Sequence, residues 1–417
     1  MPLTAKEQAL CASIAARQDE LVAQLRDLVA IPSASSNLPA IDHVRAILVA
    51  RLESLGAITT LVPGVQKPHW LQPVREVGET QPVPPVAICA RTTTSARANI
   101  LLSGHLDTVH DPRGSFKYLE IASDKSRATG PGCADMKGGL LVAIAALEAL
   151  EDAGVRTSWT FALNSDEETG SFHSEPALAA ACIGHDCALV FEPAMPDGGL
   201  VIERSGSGQF MIECTGKSAH VGRDFASGVS AVTELARKLL RLSEFASPTQ
   251  GRIVSVGPLQ GGSTTNSVPD IARAWGNVRF SSDEAMAKID TDLRSLASSS
   301  IEKNPAQTKV VSLYNRRCKP TTPGVLALAQ LARAASQDLG SPLPFGATGG
   351  VCDGNIFQGQ GLPTIDTLGV KGGGLHTIDE WIELDSLVAR AQIVAVLISR
   401  LSEAGVPKSS SLPYVMG

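Results

Sequence analysis

Excess positive charge is the first thing this chain lacks. Its 36 Lys and Arg against 42 Asp and Glu give a formal net charge of -6, which argues against a general nucleic-acid or anionic-membrane binder, because either wants a basic face. No apolar run reaches the roughly 18 residues that a membrane span needs. The opening "MPLTAKEQALCASIAARQDELVAQL" has no basic segment followed by an apolar stretch, so it reads as an amphipathic helix rather than a secretion signal. The eight cysteines, at 11, 89, 133, 182, 187, 214, 318 and 352, form no C-x-x-C pair and no dense framework. That spacing excludes a disulfide scaffold and points to reduced thiols in a cytoplasmic protein. The expected partners are small molecules or peptides, not nucleic acid and not a membrane.

At 417 residues the chain exceeds the size at which one hydrophobic core stops growing, so two domains are expected. Residues 63–85 are Pro-rich and aperiodic and read as a long surface loop. From there a repeated unit begins. "ANILLSGH" is a short apolar strand, "KGGLLVAIAALEALEDAG" an Ala/Leu-rich helix, "SWTFALNSDEE" a second strand, and "CALVFEP" a third after a helix near 173–182. Strands alternating with helices imply an α/β fold, a mixed and largely parallel sheet with helices on both faces. Near 207 the pattern changes. "GQFMIECTG", "RIVSVGPL", "DIARAWGNVRF" and "TKVVSLYN" read as strands, with helices at "VSAVTELARKLLRLSEF" and about 283–302, a β-α-β-β-α-β order. From Pro323 the α/β pattern returns, with helices near 323–339 and 386–404 around the strand "PTIDTLG". The division expected is therefore 1–206 plus 320–417 as one α/β domain, interrupted at 207–319 by an α+β (ferredoxin-like) domain. The tail "PKSSSLPYVMG" reads as loose.

In a parallel sheet, ligands sit beyond the carboxyl ends of the strands. The chemistry-bearing residues fall there. "GHLDT" places His105 and Asp107 at the end of the first strand, two apart and so on one side. Alone, such a pair is equally the polar cap of a strand end. "SDEET" follows the second strand and Glu192 the third. Together with "GCADMKGG" and "GGGLHT", these stretches hold His105, Asp107, Asp135, Glu167, Glu168, Glu192 and His376. Two imidazoles with several carboxylates suit a zinc pair better than magnesium or an iron–sulfur cluster. A two-metal site needs one bridging carboxylate, and Asp135, in a Gly-flanked turn, is the candidate. Of the adjacent Glu167 and Glu168, one can ligate while the other acts as general base; an isolated acidic run is more commonly a solvated turn.

The succession GHLDTV, GCADMKGG, DEETGS, a single Glu about two dozen residues on and a late LHT histidine resembles the M20 family of dinuclear zinc peptidases and deacylases. The resemblance runs from about residue 15 to about 405. "GGVCDGN" and "LGVKGGGLHTIDEWI" make it most similar to the glutamate carboxypeptidase branch. It implies one zinc on His105, Asp135 and Glu192 and a second on Glu168, Asp135 and His376, with Co2+ or Mn2+ as possible substitutes. It further implies that Asp107 orients His105 and that Glu167 serves as general base and acid. His220 in "GKSAHVG" would stabilise the oxyanion, reaching across a homodimer formed through the inserted lid domain. Asn266, Arg279, Gly349 and Gly350 would hold the substrate's carboxylate.

A Glu at 192 accompanies carboxypeptidases and deacylases in that family, and an Asp accompanies aminopeptidases. The implied reaction is hydrolysis of an amide in an N-acyl amino acid or C-terminal conjugate by a metal-bridging hydroxide. The alternatives are an aminopeptidase of the same fold and a metal-silent, ligand-binding relative. Hinges are expected near 205–208 and 318–322. "SGSGQF" is discounted as a dinucleotide loop because Met211 stands where a third glycine is needed. Cys133 has no local histidine partner, and His43, His69, His110, His173 and His185 read as ordinary polar residues. The stretch after Glu192, "PAMPDGGLVIERS", offers only Arg204 as a basic group, too little to assign a glutamate side-chain preference.

Overall fold

A computed structural model describes residues 2–71, 82–298 and 305–407. Its main sheet has six strands in the order Ile58–Val62, Val86–Arg91, Ser158–Asn164, Asn99–His105, Cys187–Val190, Thr364–Ile365. The first two junctions are antiparallel and the other three parallel, a mixed and largely parallel α/β sheet. Asn99–His105 lies between two parallel neighbours, and every residue after Asn99 is buried. Covering both faces removes the alternation that a half-exposed strand would show, which is why "ILLSGH" reads as one apolar run. Within it, Ile100 and Leu102 pack into the larger core with Leu140, Phe161 and Leu397, whereas Leu101 faces a smaller core with Ala162, Leu178 and Phe357.

The helix Gly139–Asp152 is buried along nearly its whole length and packs against the C-terminal helix Asp385–Ala404. Its first residue touches the sheet closely: a Cβ on Gly139 would stand 2.0 Å from the Phe191 carbonyl oxygen. The expected single N-terminal helix is two, Ala5–Ala15 and Gln18–Val29. They break at Arg17, whose non-helical backbone is accompanied by side-chain bonds to Glu20 and Glu148. A further helix, Leu38–Ser54, precedes the sheet.

A second sheet runs Arg252–Gly261, Ile271–Phe280, Gly206–Thr215, Gln307–Arg316, every junction antiparallel. Helices Ala231–Leu242 and Asp283–Ser295 cover it, each started by a serine (Ser230, Ser282) that accepts the amide N–H of the third helical residue. The apolar face of this unit, with Phe210, Ile212, Leu235, Val278 and Ile289, makes a core of its own. Gly206 and Gly208 of "SGSGQF" lie in its first strand, where a Cβ would strike the Phe280 and Tyr314 rings; their role is close packing.

Beside the second covalent crossing, Asn315 and Arg316 of the last strand bond the Gly170 carbonyl and the Glu167 carboxylate, both at 2.7 Å, and a further contact lies at residues 63–71. Trp275 Nε1 donates to the Trp70 carbonyl at 2.5 Å, and Val65 exchanges two bonds with His173. Residues 63–71, which carry one short 3-10 turn, thus touch both bodies. The middle of the expected loop (72–81), the end of the 283–302 helix and the tail from 408 lie outside the described residues. A small four-stranded sheet, Glu120–Ile121, Arg127–Thr129, Trp381–Glu383 and Gly372–Gly373, has no counterpart in the sequence reading. Its strands are too short for a periodic signal. "PTIDTLG" joins the main sheet only through Thr364–Ile365; Asp366 makes a single antiparallel bridge to Val201 and turns its side chain into a buried cluster with Arg204 and Lys319.

Candidate metal centre and active site

Parallel register brings three strand ends level, with His105 opposite Asn164 and Ser103 opposite Val190. His105 therefore meets the Ser165–Glu168 turn and Glu192. Its Nδ1 lies 2.9 Å from the Asp107 carbonyl oxygen and 3.5 Å from the Asp107 carboxylate, which leaves Nε2 facing Asp135 Oδ1 at 3.0 Å and Glu192 Oε2 at 3.9 Å. The Asp107 carboxylate does more than orient an imidazole. It accepts the Ser35 hydroxyl at 2.7 Å and the Glu167 and Glu168 amides at 3.1 and 3.2 Å, so it fixes the acidic turn to the strand end.

His376 occupies the tip of a hairpin between Gly372–Gly373 and Trp381–Glu383, in a left-handed conformation (φ 63°) unusual for a residue other than glycine. Its Nε2 is 3.4 Å from Asp135 Oδ2 and 3.3 Å from Glu168 Oε2. Two groups of donor atoms result, His105–Asp135–Glu192 and Asp135–Glu168–His376, each within 4.8 Å, sharing Asp135. The residue chemistry fits a pair of divalent cations. Five carboxylates crowd this space, and Glu168 Oε1 is buried without a hydrogen-bond partner.

The proton affinities reflect the same surplus of negative charge. Burial opposes charge on His105, but Asp107, Asp135 and Glu192 outweigh it and hold the imidazole well above its usual pKa. Hydrogen bonds donated to the Asp135 and Glu168 carboxylates raise His376 to about 10. Burial, with the charge of Asp135, holds Glu192 well above the carboxylate range. The same surplus of negative charge would attract a metal cation.

Glu167 is buried, its pKa pushed up to about 7 by desolvation and restrained by Arg316. Arg316, which the sequence reading missed, ends the last strand of the second sheet. Its Nη2 bonds Glu167 Oε1 at 2.7 Å and Ser171 Oγ at 2.7 Å, with Asp353 Oδ1 at 3.5 Å. Nothing in "YNRRC" distinguishes it from a surface arginine; only the fold carries it to the base. Arg279 is half-buried, and its Nη1 is enclosed without a partner. Burial and the charge of Arg316 pull its pKa down while Glu167 pulls it up, so it lies within electrostatic reach of the base.

The remaining expected residues are not in the cluster. His220 and Asn266 are exposed neighbours on the second unit, where His220 Nδ1 accepts the Gly222 amide at 3.1 Å and the Asn266 carbonyl accepts the Val221 amide. Gly349 and Gly350 form an exposed turn, with the Gly350 amide engaged by Thr348 Oγ1 at 3.2 Å. Arg204 is committed elsewhere, forked onto Asp366 at 2.7 and 3.0 Å. Cys133 is buried with its thiol pKa raised by desolvation, unsuited to nucleophilic attack. His110 is not an ordinary polar residue: its Nε2 lies 2.6 Å from the buried Glu380. A cleft of about 810 Å³ opens beside Glu168, walled by Leu38, Pro39, Pro84, Val109 and Pro112.

A parallel-sheet edge bearing two carboxylate–imidazole groups that share an aspartate, with a further glutamate beside them, has the layout of a two-metal hydrolase. The chain belongs to peptidase family M20/M25/M40, whose profile matches residues 101–400. It is 29% identical over 310 residues to carboxypeptidase G2 of Pseudomonas sp. (strain RS-16), covering 73% of this chain and 74% of that one. It is 25% identical over 328 residues to succinyl-diaminopimelate desuccinylase of Psychrobacter sp. (strain PRwf-1), covering 72% and 79%. A tripeptidase structure from Staphylococcus aureus subsp. aureus Mu50 superimposes with a TM-score of 0.72 at 19% identity, covering 92% of this chain and 99% of that one. Among the described residues no helix is long and apolar enough to cross a membrane.

Proposed function

We propose that this hydrolase cleaves the amide bond of an N-acyl amino acid or C-terminal amino-acid conjugate that bears a free carboxylate, using two zinc ions. His105, Asp135 and Glu192 would hold one ion, and Glu168, Asp135 and His376 the other. The single observation that carries the reading is Asp135 facing both imidazoles, one through each carboxylate oxygen. Bound metal would supply Lewis-acid polarisation of the carbonyl and acidify water.

The chain's own residues do the rest. Glu167, with Oε1 occupied by Arg316, offers Oε2 to take the proton from water and deliver it to the leaving amine. Arg279, with its enclosed and unpartnered Nη1, supplies a fork for the substrate carboxylate, assisted by Asn266 and Gly349. His220 would meet the oxyanion only when brought in by lid closure or by a second copy of the chain. The cleft beside Glu168 leaves room for a peptide-sized or aryl acyl group. Glu192 and Arg279 favour this reading over an aminopeptidase, which would need an anion for the substrate's free amine.

The test is elemental analysis together with amine release from a panel of N-acyl amino acids and dipeptide mimics. About two zincs per chain, activity lost on chelation, and a Glu167→Gln variant that keeps metal but not turnover are expected. Full metal with a silent panel, or no metal after reconstitution, would overturn it.

A further inference from the structure

Glu380 lies four residues beyond His376 and is fully buried. All of its acceptor capacity is spent on one task. Oε1 takes the Ala134 amide at 2.8 Å and the Asp135 amide at 2.9 Å; Oε2 takes the Gly132 amide at 2.9 Å and His110 Nε2 at 2.6 Å. Its main-chain oxygen accepts the Gly130 amide as well. One carboxylate thus joins three separate segments, each carrying or flanking candidate metal ligands: the 130–135 turn with Asp135, the 374–380 hairpin loop with His376, and the 105–110 strand end with His105 and Asp107. None of these bonds reaches a donor atom itself.

We infer that Glu380 is a positioning residue that sets the main-chain orientation of the shared Asp135 relative to His376, with His110 holding the carboxylate in register. This rests on the two-metal reading above. A charged acceptor suits the position, because three converging N–H dipoles stabilise an anion as a helix N-terminus does. Glutamine keeps the shape but exchanges one acceptor oxygen for an NH2 that faces N–H groups, leaving buried donors unpaired. Groups that orient metal-binding residues from behind cost about 10–100-fold in metal affinity when replaced.

The experiment titrates metal-free protein with Zn2+ against a chromophoric chelator and records the thermal midpoint without and with Zn2+. In Glu380→Gln the affinity of the weaker site is expected to fall at least about tenfold, and the Zn2+-induced rise in the midpoint to shrink. A merely structural role would lower the metal-free midpoint and leave the affinity alone. His110→Ala deletes one bond without touching the turn and carries the test if Glu380→Gln does not fold. It should weaken Zn2+ binding, and His110→Gln, which can still donate, should restore it. Wild type that takes up two ions with all folded variants matching it within twofold would overturn the positioning role and spare the proposed function. Wild type that binds no Zn2+ would overturn both.

Discussion

Arg204 is the residue on which a structural and a substrate-binding role separate most cleanly. Its guanidinium is forked onto Asp366, and Lys319 Nζ stands 3.3 Å from the same carboxylate, all three side chains almost wholly buried. At about 3 Å and an effective dielectric constant near 20, each attraction is roughly 5 kcal/mol before desolvation is subtracted. Removing the shared partner of a buried pair costs about 3–5 kcal/mol, because a cation is left in the interior without compensation. Asp366→Asn strands two, so the loss belongs at the upper end of that range and takes much of the 5–15 kcal/mol or so typical of folded domains.

Urea unfolding followed by tryptophan fluorescence measures the loss. The pH dependence has a definite sign. Arg204 and Lys319 outweigh burial and hold the Asp366 pKa below its usual value. Its stabilisation is therefore full above the unfolded pKa of about 3.9 and disappears as pH falls through the folded value. Wild type and Asp366→Asn should converge in acid and diverge towards neutrality. Arg204→Met should leave the KM ratio between N-acyl-glutamate and N-acyl-alanine unchanged. A stability loss below about 1 kcal/mol in Asp366→Asn, or a selective tenfold rise in KM for the diacid in Arg204→Met, would refute the reasoning.

Other outcomes follow from single contacts. Arg316→Met should cost roughly 3 kcal/mol of unfolding free energy, since it leaves Glu167 and Asp353 buried without their cation; a loss under about 1 kcal/mol in urea would show that the pair is not stabilising. Gly139→Ala reverses the helix-propensity rule: alanine normally gains about 1 kcal/mol in a helix, but here the Cβ would meet the Phe191 carbonyl, so a lower thermal midpoint is expected and a higher one would refute the packing. Arg279→Ala should raise KM for substrates with a free α-carboxylate and not for their amidated analogues. An equal effect on both removes it from the carboxylate site.

The α/β alternation was legible because both faces of the central strands are covered, which turns "ILLSGH", "WTFALN" and "CALV" into apolar runs with polar ends. Three of the metal-ligating candidates were legible for the same reason: His105, Glu168 and Glu192 stand where or just after a buried run stops. What was not legible depends on long-range pairing. Arg316 meets Glu167 across 149 positions and Glu380 meets Gly132 across 248; a side chain so placed leaves no periodic trace. His110 looked like a bystander until the fold supplied its carboxylate. The break of the first helix at Arg17 coincides with a bond to Glu148, a partner that belongs to another helix. Asp366, just past Thr364–Ile365, turns its side chain into a buried charge cluster.

The bond between Trp275 and the Trp70 carbonyl changes the mechanics of the molecule. Two chain crossings define an axis, and a body attached by them alone turns about it like a door. A third attachment away from that axis removes this freedom. Besides straining the Asn315 and Arg316 bonds next to the second crossing, a swing of the second sheet must break the Trp275 bond or carry residues 63–71 along, and those residues are themselves moored at Val65 to His173, which follows the acidic turn closely in sequence. Motion of the outer body is thereby geared to the rim of the metal centre. Trp275→Phe, which deletes the donor and keeps the ring, should uncouple them and change the salt and viscosity dependence of turnover before it changes metal binding.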